Sequence, residues 1–299
     1  MYVDFTVVEC LTAQSLSKVD RIFHLHEGSS DEVRLLRLMS GVADVLVTRT
    51  GSTYPIRENN LVFPSVVHSK ARALSFQTCL SPDCTRTDLA AYYKKTKQSN
   101  RELFRLLVAE YCHFSVSTIL GNHTRAFLHV YRILELISYM FPLIHASQSS
   151  SYYGTYTQLK AFFADKKDAG ELLFFKTFLQ QIMGANGYLG FGLLLEFTGV
   201  SPDVNRRYIK IVKELLDSND IIRVTDPTQI ELVIDALIGL IIDVRNRWFH
   251  FAIGGRRNLS SFDMPEPDDF FAPLNKAAMN WISVIYLEVL QVSVEHRVG

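Results

Sequence analysis

Hydrophobic residues change their period once along this chain, near residue 85, and the change divides it into a mixed N-terminal stretch and a helical remainder. Residues 1–10 alternate loosely and are rich in Val, Phe and Thr. Residues 44–48 read as a strand ahead of a turn at Gly51-Ser52, and residues 61–67 and 71–78 as two further short strands. Between them, residues 31–39 have helical spacing, with Ser29, Ser30 or Asp31 available as N-cap. These elements predict a small α+β domain over residues 1–85. The polar stretch at residues 81–87 is its expected boundary.

Beyond that boundary the apolar positions recur at helical spacing. Asn100 is placed to cap a helix over residues 101–120, Gly121-Asn122 separate it from a second over 123–140, and Pro142 stops that one. A loop rich in Ser and Tyr follows at 147–156, then shorter helices at 158–165, 169–183 and 202–216. Residues 184–199 are apolar but carry Gly187, Gly190 and Gly192, and so read as helix or loop. From Gln229 to His250 apolar residues cover nearly every side, which predicts a helix at the middle of a bundle. Glu231, Asp235 and Asp243 interrupt it, so it does not read as a membrane span. Gly254-Gly255 are its expected stop. An acidic loop at 260–269 and a last helix over 273–294 complete the chain. Residues 100–299 are expected to form an all-α bundle, and the fold class is mainly α.

Composition narrows the function classes. The chain has 299 residues, 48% hydrophobic and 21% charged, enough to bury a core. Its net charge is zero, so nucleic acid is held by local patches or not at all. Residues 1–5 lack the basic and long apolar regions of a signal peptide, and four scattered cysteines do not make a disulfide framework. The expected location is the cytoplasm. No Walker loop, GxGxxG, HExxH or GxSxG occurs. Cys79-x4-Cys84 with His68 nearby is marginal zinc spacing without a second pair of ligands, so neither metal nor cofactor is expected.

Two arginines, an asparagine and a histidine end the long apolar segment: Arg245-Asn246-Arg247-Trp248-Phe249-His250. Buried charge without partners is costly, so these groups are expected to emerge together at a cleft or an interface. Arg, four residues, then His, with a polar residue after the Arg, resembles the signature of the HEPN superfamily. Many of its α-helical domains are metal-independent RNases of toxin–antitoxin, CRISPR-associated and phage-defence systems. The resemblance covers the helical part of the chain, and the motif itself is six residues. Arg21 to His26 repeats the spacing, but Ile22 follows that arginine and its flanks read as a strand.

Cleavage of RNA without a metal uses the substrate's own 2′-OH as nucleophile. The site then needs a proton-transfer group, as His250 supplies, and fixed positive charge on the phosphorane, as Arg245 supplies. Asn246 is suited to orient the phosphate or the histidine. Five residues turn a regular helix by about 500°, which leaves Arg245 and His250 about 140° apart. A distortion at the helix end or a site built from two protomers brings them together. The resemblance implies the second, a homodimer with two motifs facing one RNA-sized cleft. It also implies an N-terminal domain that senses, restrains or selects RNA, and an inhibitory or sensor partner protein. The bland reading of the motif is that the cations merely favour a helix C-terminus, and the alternative function is a non-catalytic helical interaction module in which the same helix end only binds a partner protein or nucleotide. A metal-dependent nuclease using Glu231, Asp235 and Asp243 lacks a recognised ligand pattern.

In the second helix Arg125, His129 and Arg132 share one face. Tyr131, Arg132 and Glu135 loosely resemble a Tyr-Arg-x-x-Glu pattern of some HEPN proteins. Arg132 and Glu135, with Arg247, are therefore supporting candidates around the site, against a slightly favoured reading of Arg132 and Glu135 as an internal Arg–Glu bridge. Arg206, Arg207, Lys210 and Lys213 on one helix, and Arg256-Arg257 after the glycines, are candidate phosphate contacts or simply solvated faces. His24 and His26 read as an exposed pair on a strand.

Overall fold

A computed structural model describes residues 5–61, 86–96, 98, 100–138, 140, 153–154, 156–157, 159–160, 192–199, 201–250 and 258–298. In chain order the elements are β1 (Phe5–Val8), α1 (Ala13–Leu16), α2 (Asp31–Met39), β2 (Ala43–Val47), β3 (Ser52–Ile56), α3 (Arg86–Thr96), α4 (Arg101–Ile119) and α5 (His123–Ser138). Then follow β4 (Gly192–Glu196), α6 (Pro202–Leu215), β5 (Ile221–Thr225), β6 (Gln229–Val233), α7 (Ala236–Trp248) and α8 (Pro267–Val298). The protein is mainly helical, with two small antiparallel sheets. No described helix is long and apolar enough to cross a membrane. Two compact units divide the chain: Met1–Leu136 with Met279–Gly299, and Ile137–Ala278.

The first unit is built on the sheet β1-β2-β3. Ser30 accepts from the Val33 amide and so starts α2, as its sequence allows. Leu35, Leu36, Leu38 and Met39 of α2 and Leu107, Tyr111 and Cys112 of α4 are buried where the two helices pack. Gly41 closes the turn into β2 at φ +72°, and a Cβ there would lie 2.6 Å from the Glu58 carbonyl oxygen, so only glycine fits. The part of α8 from Met279 onward is tied into this core, since Asn280 donates to the Asn60 carbonyl (3.0 Å) and Asn60 donates to Tyr111 Oη (2.8 Å). Of the strands expected at residues 61–67 and 71–78 only Leu61, which lies in a turn, is described; the rest, and the helix at 169–183, lie outside the described residues.

The second unit contains a sheet, and this corrects the expectation of an all-α C-terminal part. Its order is β4-β6-β5. Residues 229–233 form β6, where the long central helix was expected to begin. Ile230 and Leu232 are buried while Gln229, Glu231 and Val233 are half-buried, the two-residue period of a strand. Alternation is hidden in the sequence because the residues that follow are apolar too. Gly192, read as part of a helix or loop, instead opens β4, whose Leu193 and Leu195 face Leu232 and Ile230 across the ladder. The central helix is thereby shortened to α7. Ala236, Leu237, Ile238, Leu240, Ile241 and Val244 bury its core-facing side.

Helices expected at 101–120, 123–140 and 202–216 are present as α4, α5 and α6 with small differences at their ends. The last helix begins at Pro267, not Pro273: proline suits the first helical position, and Pro273 is carried inside. Tyr153, Gly154, Tyr156, Thr157, Leu159 and Lys160 are helical, so Tyr153, Gly154 and Tyr156, expected in a Ser- and Tyr-rich loop, lie in helix instead. Residues 21–23, expected as strand, form a 3-10 turn because Asp20 caps the Ile22 amide (3.1 Å). His24 there is half-buried, with Nε2 within 3.2 Å of the Leu16 carbonyl oxygen and 3.0 Å of that of Val19, while His26 is exposed.

Candidate functional site

The polar end of α7 is held by backbone bonds and aromatic packing. Phe249 caps the helix by donating its N–H to the Arg245 carbonyl (3.0 Å), and Leu259 donates to the Arg247 carbonyl (2.9 Å). These bonds satisfy carbonyls that the helix leaves open at its C-terminus. Trp248 and Phe249 lie against Phe271 of α8, with ring centroids 6.3 and 5.9 Å apart. Phe271 belongs in turn to an aromatic core with Phe270, Phe197 and Tyr208, so the helix end rests on rigid packing.

That frame presents the motif residues differently. Arg245, Asn246 and Arg247 are half-buried, and His250, the residue after the cap, is exposed. Arg245 Nη1 donates to Asn246 Oδ1 (3.0 Å), so the asparagine turns its carbonyl to the guanidinium. The Arg247 Nε is buried and meets no hydrogen-bond acceptor among the described residues. Cations in the last turn also sit favourably against the helix dipole. Arg245 and Asn246 are thus brought together. His250 follows them in a bend beyond the helix, where the regular rotation of a helix no longer fixes its direction.

The basic residues of α6 are partly neutralised at home. Arg206 pairs with Asp203 (2.9 Å) and with Asp226 in the β5–β6 turn (3.1 Å), and Lys210 lies 3.7 Å from Glu214. Arg207 and Lys213 are exposed on the same helix. Arg256 and Arg257 lie outside the described residues, as do Cys79, Cys84 and His68. Among the described residues no group of three His, Cys, Asp or Glu is placed to hold a metal ion.

Arg132 and Glu135 belong to the first unit. Arg132 is in an Arg–Glu bridge, but the partner whose geometry is seen is Glu110 of α4 (3.1 Å). The second oxygen of Glu110 lies 2.7 Å from His129 Nδ1. Of the stripe read from the sequence, His129 is buried and Arg125 and Arg132 are exposed. Glu110 and His113, one turn apart on α4, were not singled out from the sequence; their i, i+3 spacing is its only trace. Compared with known proteins, the chain matches no family model, no curated protein and no solved structure.

Proposed function

We propose that this protein is a metal-independent endoribonuclease with a HEPN-like helical bundle, acting as a cytoplasmic homodimer in an antiviral or toxin module. Arg245 holds the scissile phosphate and stabilises the charge that develops on it. His250 transfers a proton, and Asn246 fixes the guanidinium of Arg245. The observation that carries this reading is the end of α7. A buried apolar helix there delivers an arginine already bonded to its neighbouring asparagine, followed five residues on by an exposed imidazole. Guanidinium and imidazole are the two groups that RNA transesterification needs without a metal. Arg247 sits in the same turn as a supporting cation. Arg207 and Lys210 on α6, with Arg256 and Arg257, are the proposed contacts to the RNA backbone, while Arg206 is committed to two aspartates.

Incubating purified protein with total RNA, with and without EDTA, tests the reading. The expected products carry 2′,3′-cyclic phosphate and 5′-OH ends in both conditions. His250→Ala should lower the rate by about 10² or more, with the fold intact. Undiminished cleavage by that variant overturns the assignment. Loss of cleavage in EDTA indicates a metal-dependent nuclease instead. RNA or protein binding without any cleavage leaves a helical interaction module.

A further inference from the structure

Resting on the nuclease reading of the α7 tip, we infer that Arg247 is a second phosphate anchor. It takes a phosphate flanking the scissile one, so the site requires an oligonucleotide and not a ligand with a single phosphate. Arg247 is half-buried, and among the described residues none of its side-chain nitrogens has an acceptor. A guanidinium does not lose its charge, and burying such a donor without an acceptor is costly. Other arginines avoid that cost. Those not exposed are committed, Arg34 to Asp31, Arg37 to Glu9 and Arg245 to Asn246. Arg101, Arg125 and Arg207 lie open to water. Among the arginines whose burial is described, Arg247 alone combines partial burial with unused donors. Asp243, one turn earlier on the same side of α7, forms no ion pair with it.

The helix dipole favours a cation in the last turn, but it does not account for burying one without an acceptor. Arg247 Nε is shut off from water and neither Nη is, so the fork is the part open to a ligand. Its planar shape fits two oxygens of a phosphate. That phosphate is not the one held by Arg245. Residues two apart on a helix leave it about 160° apart and do not face each other. Their side chains tilt toward the helix start, so the two forks do not close over the tip onto one group. Across a helix about 10–12 Å wide they meet two phosphates of one strand. Two anchors also answer the dipole, because the C-terminal end carries about half a negative charge and offsets part of the pull of Arg245 alone.

Binding of the full chain to a short single-stranded 2′-O-methyl RNA tests the anchor, since that strand lacks the 2′-OH and is bound without being cut. Fluorescence anisotropy between about 50 and 200 mM salt gives the affinity and the slope of its logarithm against that of the salt concentration. Arg247→Gln should weaken binding about tenfold and make the slope shallower by about 0.7 for each Arg247 in contact. Arg101→Gln removes the same charge from α4 and should alter the slope by less than about 0.3. Arg245→Gln combined with Arg247→Gln should lose both increments. Should Arg247→Gln not fold, Arg247→Lys is the second variant. It keeps the charge and loses the fork, so the slope should hold while affinity falls about threefold. A slope for Arg247→Gln equal to that of the natural protein overturns the inference, as does unchanged affinity in Arg247→Lys. A double variant no shallower than either single one places both forks on one phosphate and overturns it too, and so does a natural protein that does not bind the strand. The nuclease reading fails separately: if unmodified RNA stays uncut while Arg247→Gln shows its loss, the tip is an oligonucleotide site without catalysis.

Discussion

Glu9 and Glu32, two carboxyl groups of the first unit, respond to acid in opposite directions. Glu9 accepts from the amides of Cys10, Leu11 and Leu25 and forms a close ion pair with Arg37, which is fully buried. Burial raises its carboxyl, but the Arg37 hydrogen bond and the backbone amides prevail and hold it below the usual range. A depressed carboxyl stabilises the fold above its unfolded value, and that stability is lost as pH falls through the folded value. Arg37 also donates to the Val42 and Phe23 carbonyls. Arg37→Ala should therefore cost about 3–5 kcal/mol in denaturant melts at neutral pH, because it removes the cation paired with the Glu9 carboxylate and the donor that Arg37 gives to two carbonyls. Glu32 is the converse. Burial pushes its carboxyl up against the help of its own amide and Ser30, and its Oε1 meets no donor among the described residues. Its stabilising effect is full below the unfolded value and is lost as pH rises through the folded one. Glu32→Gln should accordingly raise stability by about 1 kcal/mol at pH 7, a melting shift of a few degrees, and by almost nothing below about pH 4.

At the scale of elements, α6 shows which rules act locally. Ser201 accepts from the Val204 amide (3.3 Å), Pro202 opens the helix, and Asn205, Tyr208, Ile209, Ile211, Val212 and Leu215 form its buried face. Removing the cap with Ser201→Ala should cost about 1 kcal/mol, read as a lower urea midpoint with unchanged slope. The same local rules make α2 and α4 legible from the sequence: Ser30 caps α2 and Gly121 stops α4, although Asn100, expected to cap α4, stands at its N-cap without a side-chain capping bond. They fail at β6, where Gln229–Val233 runs into α7 through residues apolar on every side, so neither period stands out. They fail also at β4, because Leu193-Leu194-Leu195 has no polar alternation to mark a strand; its inner face is fixed by pairing with β6, far along the chain. The candidate site divides in the same way. Cations at a helix end are readable from order alone, and so is the neighbourhood of Arg245 and Asn246. The Glu110–His129 and Arg206–Asp226 pairs are not, because packing of separate elements creates them.

For the whole molecule, the proposed nuclease is a homodimer, and its groups can be tested across the two chains. Net charge is zero, so long-range attraction does not concentrate RNA at the site, and affinity must come from groups gathered in one place. Each chain supplies one Arg245 and one His250, the second beyond the end of the helix that carries the first. A two-fold axis through such a tip doubles every cation and imidazole around one phosphate, and self-complementary contact is the commonest way chains associate. Arg245→Ala and His250→Ala then become complementary lesions. Each homodimer lacks one kind of group entirely, whereas a mixed dimer keeps one arginine and one histidine in the same cleft. Refolding the two inactive variants together in equal amounts should make about half of the dimers mixed. Cleavage should reappear at a substantial fraction of the natural rate, with the same EDTA resistance. If mixing restores nothing although mixed dimers are confirmed by differential tagging, Arg245 and His250 do not act across a shared cleft. In that case each chain must complete its own site, and the helix tip has to bring guanidinium and imidazole together within one protomer.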